Sequence, residues 1–224
     1  MKRFILFDLD GTLSDPKVGI TKSVQYALSQ FGIEENADAL TPFIGPPLRD
    51  SFMNFYGFSP PQAEEAVAHY RVYYEKQGMG ENTLYPGIKP MLEALKEKEA
   101  TLFLATSKPW AYAEQILKDF SIHSLFSFIG GSEMDGTRSD KAEVIAHVLH
   151  MAQLLGYMDT PDPAPCIMVG DRSHDILGAK KNHMDSIGVL FGYGDEEELT
   201  SAGATYIVDS VQALSILLSG PVVE

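Results

Sequence analysis

Cysteine, positive charge, long apolar runs and repetition are all scarce in this sequence, and each shortage closes off a class of protein. A single cysteine, Cys166, has no partner for an internal disulfide. It stands in the apolar run Cys166-Ile167-Met168-Val169, where it reads as a buried core thiol, and the expected compartment is cytoplasmic. Only 17 Lys and Arg face 31 Asp and Glu, a formal net charge of −14, which disfavours binding a nucleic-acid polymer through a general electrostatic field. No stretch approaches the roughly 18 apolar residues of a membrane span, so no membrane partner is expected. The N-terminal apolar run is cut by Asp8 after four residues, too short for a signal peptide. Internal repeats and low-complexity tracts are missing too. What remains is globular: 224 residues, 45% hydrophobic and 21% charged, enough for one large domain or a core with a smaller inserted unit.

The most informative stretch is Asp8-Leu9-Asp10-Gly11-Thr12-Leu13, directly after the apolar run Phe4-Ile5-Leu6-Phe7, which predicts a buried strand. Side chains at i and i+2 leave a strand on the same side, so Asp8 and Asp10 repel unless a cation or a shared proton relieves them. Gly11 and Thr12 let the backbone turn and present N–H groups to an anion, as a phosphate beside a metal-bound carboxylate requires. The plainer reading of Asp-x-Asp, a solvated turn, stays open on this hexapeptide alone.

Beyond it, Ile20, Val24, Ala27, Leu28 and Phe31 recur at helical spacing over Pro16–Phe31, and Gly32 ends the pattern. A second helix is expected over Pro47–Tyr56, and a third from Ser59-Pro60-Pro61-Gln62, a capping-box signature. From Tyr85 the pattern alternates. Helices are expected at Pro90–Glu99, Trp110–Phe120, Lys141–Gly156 and Asp175–His183. Strands are expected at Thr101–Ala105, Phe126–Ile129, Cys166–Val169, Ser186–Leu190 and Tyr206–Val208. Such alternation predicts an α/β fold with a doubly wound parallel sheet, Rossmann-like, with an inserted α-helical cap. The domains are then 1–15 with 84–224 as the α/β core and 16–83 as the cap. The Pro-rich stretch Gly156–Pro165 reads as a surface loop.

Open parallel sheets bind ligands at the carboxyl ends of their strands, so polar residues there converge. The second core strand exits into Thr106-Ser107-Lys108-Pro109, which offers hydroxyls and N–H groups near a helix start; a simple helix cap explains it equally well. Asp140-Lys141-Ala142-Glu143 puts Lys141 in a first helical turn, against the helix dipole, which points to a counter-charge or else to a solvated lysine. The fourth strand exits into Gly170-Asp171-Arg172-Ser173-His174-Asp175, again acidic, with Asp175 also readable as a helix cap.

These pieces, in this order, resemble the haloacid dehalogenase-like superfamily of phosphohydrolases over nearly the whole chain. Asp8-x-Asp10-Gly11-Thr12 looks like its first motif, Thr106 or Ser107 its second, Lys141 its third, and Gly170-Asp171-x-x-x-Asp175 its fourth. The helical insertion is similar to the cap of the phosphoglycolate phosphatase-like subgroup, and Gly45-Pro46-Pro47-Leu48-Arg49 resembles that cap's substrate-facing loop. Asn182-His183-Met184 departs from the usual Asn-Ala-Gly, a change expected to alter local packing only. Lys141 lacks the flanking prolines common in phosphoglycolate phosphatases, which weakens that one substrate.

The resemblance implies an enzyme, a Mg²⁺-dependent phosphatase for a small phosphorylated metabolite such as phosphoglycolate or a nucleoside monophosphate, working as a monomer or homodimer. It implies that Asp8 attacks phosphorus and forms an aspartyl phosphate, with Asp10 as general acid and base. Mg²⁺ falls to Asp8, Asp10 through its carbonyl, and Asp171, with Asp175 in support. Gly11, Thr12, Thr106, Ser107 and Lys141 hold the phosphate, and Arg49 the rest of the substrate. A phosphosugar mutase of the same fold stays open. A non-catalytic phospho-accepting receiver domain, which shares strand-end aspartates, a hydroxyl and a lysine, is about half this length and lacks a helical insertion. His147 and His150, three apart on one helix, read as packing residues for want of a third ligand, and His174 as a loop residue. The Tyr70, Tyr73, Tyr74 group reads as helix packing or a dimer surface.

Overall fold

The computed structural model describes residues 4–158 and 166–220, so most of the Pro-rich stretch read as a loop lies outside the described residues. The chain divides into two compact units, Met1–Leu13 with Leu84–Glu224, and Ser14–Thr83.

In chain order the elements begin with β1 (Phe4–Phe7), β2 (Ser14–Asp15), α1 (Lys17–Ser29), α2 (Leu48–Tyr56), α3 (Pro60–Lys76) and β3 (Thr83–Leu84). They continue with α4 (Ile88–Glu97), β4 (Thr101–Pro109), α5 (Trp110–Asp119), β5 (Phe126–Ser132), α6 (Lys141–Leu154) and β6 (Cys166–Gly170). The last are α7 (Ser173–Lys181), β7 (Asp185–Val189), α8 (Glu196–Ala202), β8 (Tyr206–Val208) and α9 (Val211–Ser219).

The first unit is built on a six-stranded sheet in the order β5-β4-β1-β6-β7-β8. Every pairing is parallel, with Phe7 level with Leu104 of β4 on one side and Val169 of β6 on the other. Strands covered on both faces need apolar residues at every position, and all four residues of β1 are buried. Phe4 and Leu6 join Phe103 and Met168 under Val144, Ile145 and Val148 of α6, while Phe7 meets Phe126 edge-on on the opposite face. Fully burying Ile5, Leu6 and Phe7 contributes about 1.5–3 kcal/mol each. The chain builds outward from β1 to β5, then returns to β6 and builds the other way. The direction of winding therefore changes between β1 and β6, the place where such sheets form a crevice.

Two helices go beyond the sequence reading, α8, capped by Asp195 through Glu198 N–H, and α9, capped by Ser210 through Ala213 N–H. β4 runs four residues past Ala105, with Pro109 level with Ser132 of β5, so Thr106 and Ser107 are strand residues. α7 starts at Ser173, which makes His174 its second residue, so the loop reading of His174 does not hold; Asp175 is the third residue, and its side chain does cap the helix start, accepting from Arg172 N at 3.1 Å. At the end of α7, the Asn182 side chain donates to Ala142 O and Gly178 O at 3.0 and 2.9 Å, and His183 takes a left-handed φ of +55°.

The second unit is helical, with a 3₁₀ helix at Ala37–Phe43 that the sequence reading did not anticipate. α1 crosses the chain so closely at Gly19 that a Cβ there would lie 1.9 Å from Gly78 O. At the start of α3, Gln62 accepts from Ser59 N and Oγ at 3.0 and 2.7 Å. Tyr70 and Tyr74 are buried and stacked at 5.2 Å, and Tyr73 donates to Glu81, so the tyrosines are packing residues. Leu48 and Arg49 belong to the first turn of α2 rather than to a loop, and Arg49 pairs with Glu64 at 3.5 Å.

Candidate active site

Asp8 follows β1 directly, and its N–H donates to Val169 O at 2.9 Å, so the ladder holds the Asp8 backbone at the change of winding. The chain then turns sharply, with Leu13 N bonded to Leu9 O at 2.9 Å. Gly11 makes that turn at φ +79°, and a Cβ there would lie 2.1 Å from Asp171 Oδ2. Glycine is required on both counts. Asp8, Asp10, Thr12, Thr106, Lys141, Asp171 and Asp175 are all buried polar residues.

Lys141 is the first residue of α6, whose N-terminus is capped by Asp140 through Ala142 N at 2.8 Å. Its ammonium reaches Asp8 Oδ1 at 2.7 Å and Asp175 Oδ1 at 2.8 Å, and donates to Ala105 O at 3.0 Å. The ammonium is thus paired with two carboxylates and hydrogen-bonded to one carbonyl, and the counter-charge that the sequence suggested is a pair of carboxylates. Burial pulls the Lys141 pKa down, but Asp175 and Asp8 outweigh it and hold it above the ordinary lysine range. Asp175 accepts from Arg172 N at 3.1 Å; burial pushes it up, yet Lys141 and His174 carry it below the usual value. Asp8 ends at about 6, raised by burial against the pull of Lys141, with Asp175 and Asp10 adding to the rise.

Asp171 is fixed from both sides. Tyr193 N–H donates to its Oδ2 at 2.8 Å and the Thr12 hydroxyl to its Oδ1 at 3.4 Å. Backbone presses on it as well, since a Cβ on Gly194 would stand 2.0 Å from Asp171 O. Burial, with the charges of Asp175 and Asp8, pushes the Asp171 carboxyl well above the carboxylate range. Behind it, Glu198 accepts from Ser173 N at 2.7 Å and Arg172 Nε at 3.0 Å, tying α8 to the turn that carries Asp171.

Four buried carboxylates, Asp8, Asp10, Asp171 and Asp175, against the ammonium groups of Lys141 and Lys108 leave negative charge in surplus, which a divalent cation with a preference for oxygen ligands suits. Donor atoms of Asp8, His174 and Asp175 lie within 4.8 Å of one another, a grouping able to hold a metal. His174 Nε2 is buried and without a hydrogen-bond partner among the described residues, and burial holds its pKa down.

Asp10 behaves differently from Asp8. Its Oδ2 is paired with Lys108 Nζ at 2.8 Å, while its Oδ1 is buried with no hydrogen-bond partner among the described residues. Lys108 is a site residue that the sequence reading passed over, although the lysine stands inside the strand-end run that singled out Thr106 and Ser107. Thr106 Oγ1 accepts from Lys108 N at 3.3 Å. Tyr193 and Glu198 were likewise missed. The first acts through a backbone N–H that any residue has, and the second lies one helix away.

A strand-end nucleophile candidate, an ammonium between two carboxylates and an acidic turn at the change of winding form one arrangement, and the chain matches the haloacid dehalogenase-like hydrolase family over residues 5–189. The chain belongs to the haloacid dehalogenase-like hydrolases, as a phosphatase. It is 46% identical to a 5'-nucleotidase of Pseudomonas aeruginosa over 96% of this chain and 94% of that one. It is 37% identical to the tyrosine-protein kinase PtkA of Mycobacterium tuberculosis over 92% of this chain and 68% of that one. Among solved structures, a predicted phosphatase from Clostridium acetobutylicum superposes with a TM-score of 0.90 at 43% identity, covering 97% of this chain and 98% of that one.

Proposed function

We propose that this phosphatase hydrolyses small phosphomonoesters, with nucleoside 5'-monophosphates as the favoured class, through an aspartyl-phosphate on Asp8 and with Mg²⁺ as its metal. The observation that carries the reading is the Lys141 ammonium held between Asp8 and Asp175 at the change of winding. The nucleotide class is supported by the likeness to the Pseudomonas 5'-nucleotidase, and the missing prolines beside Lys141 speak against phosphoglycolate.

In the first step an Asp8 carboxylate oxygen attacks phosphorus in line, the P–O bond to the leaving group breaks, and a proton from Asp10 goes to the departing alkoxide. In the second, Asp10 takes a proton from water, whose oxygen attacks the same phosphorus and returns Asp8 and inorganic phosphate. The unpartnered Asp10 Oδ1 is the atom free for both transfers, with Oδ2 held by Lys108. Lys141 orients Asp8 and offsets charge on the transferring oxygens, while Thr106, Ser107 and the N–H group of Gly11 hold those oxygens. Thr12, expected among them, instead turns its N–H to Leu9 O at 3.3 Å and its hydroxyl to Asp171. Asp8, the Asp10 carbonyl and Asp171 would hold Mg²⁺ with Asp175 behind them. When bound it neutralises charge on the phosphate oxygens and on Asp8 itself.

A screen of phosphomonoesters for released phosphate, with and without Mg²⁺, tests the proposal. Nucleoside 5'-monophosphates should lead in kcat/KM and chelator should abolish turnover. A leading sugar phosphate or phosphoglycolate refutes the substrate class, and a full rate in chelator refutes the metal.

A further inference from the structure

We propose that the indole of Trp110 is the platform on which the base of a nucleoside monophosphate stacks, an assignment that rests on the nucleotide reading above. Trp110 follows β4 directly, two residues beyond Lys108, whose ammonium touches Asp10. At about 3.3 Å of rise per residue, its backbone lies within roughly 7 Å of that of Lys108 and within about 13 Å of that of Thr106. The ribose of a nucleotide bridges a gap of this kind between phosphate donors at Thr106 and an aromatic face.

The side chain is framed rather than loose. Indole Nε1 donates to Glu133 Oε2 at 3.0 Å, and the other Glu133 oxygen pairs with Arg138 Nη2. Arg138 takes a left-handed φ of +59° and donates from Nε to Gly131 O at 3.1 Å, while Glu133 N bonds to Thr137 O at 2.8 Å. Gly131 has no room for a side chain, because a Cβ would lie 2.8 Å from Trp110 N and Cα and 2.6 Å from Lys108 O. Even so, Trp110 is 42% exposed. An indole whose polar edge is satisfied and whose position is locked, yet whose surface is left in water, is already ordered for stacking. A base laid on it removes apolar surface from water at little entropic cost.

Trp110 is the one tryptophan of the sequence, so its emission reports the site in the unaltered protein. Adenosine with inorganic phosphate, the products of hydrolysis, should change that emission saturably, and ribose with phosphate should not. In kinetics, Trp110→Ala should lower the ratio of kcat/KM for adenosine 5'-monophosphate to that for ribose 5-phosphate by about tenfold or more, mostly through KM. Trp110→Phe should restore most of the ratio. An unchanged ratio, or an emission change of equal size with ribose, overturns the platform while leaving nucleotide hydrolysis standing. A wild-type enzyme that hydrolyses no nucleoside monophosphate overturns the nucleotide reading and the platform together.

Discussion

Replacing Lys141 by Met removes the one cation that two buried carboxylates share, and its consequences can be worked out from the geometry. Met keeps most of the side-chain volume, so the effect is electrostatic: Asp8 Oδ1 and Asp175 Oδ1 lose a partner at 2.7 and 2.8 Å. Breaking a buried pair by removing one partner costs about 3–5 kcal/mol. For a chain of this size, 1 kcal/mol moves Tm by about 2–4 °C, so the metal-free variant should melt roughly 6–20 °C lower near pH 7.5. The loss should shrink in acid. In the wild-type fold Asp175 lies below its ordinary value, so its contribution is fully present at both pH 5 and pH 7.5, while Asp8, raised to about 6, costs some stability as pH rises from about 4 to 6. In the variant both carboxylates bind protons more readily folded than unfolded, so its stability falls as pH rises and is recovered as pH drops. Thermal melts in chelator at pH 5 and pH 7.5, for both proteins, measure this. Equal losses at the two pH values, or no loss, would show that the ammonium is not the counter-charge described.

A related expectation concerns the metal. With Asp8 at about 6 in the metal-free protein, divalent binding must displace protons on the acid side, so the rise in Tm given by Mg²⁺ should be larger at pH 7.5 than at pH 5. A pH-independent rise would remove Asp8 from the metal's surroundings. Lys108→Met frees Asp10 Oδ2 and should slow hydrolysis of alkyl phosphates by about ten- to a hundredfold, with a much smaller effect on aryl phosphates that need no leaving-group acid; a uniform loss would make Lys108 a phosphate contact instead. Gly11→Ala forces a methyl onto Asp171 Oδ2 at a left-handed position, and should both destabilise by about 1–3 kcal/mol and erase the Mg²⁺-dependent rise in Tm. Wild-type melting of that variant, with and without Mg²⁺, would refute the packing argument.

The strand β1 and its acidic exit were legible because a fully buried central strand must be apolar throughout and the polarity breaks abruptly at Asp8. The alternation behind the parallel sheet was legible for the same reason. Lengths set by neighbours were not. β4 continues past Ala105 through an irregularity at Thr106-Ser107-Lys108, where the register with β5 shifts, and meets β5 again only at Pro109, level with Ser132, a tertiary condition that the polar sequence does not announce. α8 is short and polar, yet Asp195 and Glu198, three apart, carried a capping signal that could have been read. At the site, Lys141 was suggested by its conflict with the helix dipole. Lys108 showed no such conflict, and only the folded chain brings it to Asp10. Tyr193 contributes a backbone N–H, which no side-chain pattern can announce.

The central claim is that Asp8 carries the phosphoryl group, and trapping it is the most direct measurement. Rapid acid quench of the wild-type enzyme with a phosphomonoester and Mg²⁺, followed by peptide mass analysis, should place one phosphate on the peptide containing Asp8. Asp10→Asn should let that species accumulate from an aryl phosphate, and Asp8→Asn should abolish both the phosphopeptide and turnover. A phosphate found on another residue, or substantial turnover by Asp8→Asn in a sample shown free of deamidation, would contradict the account.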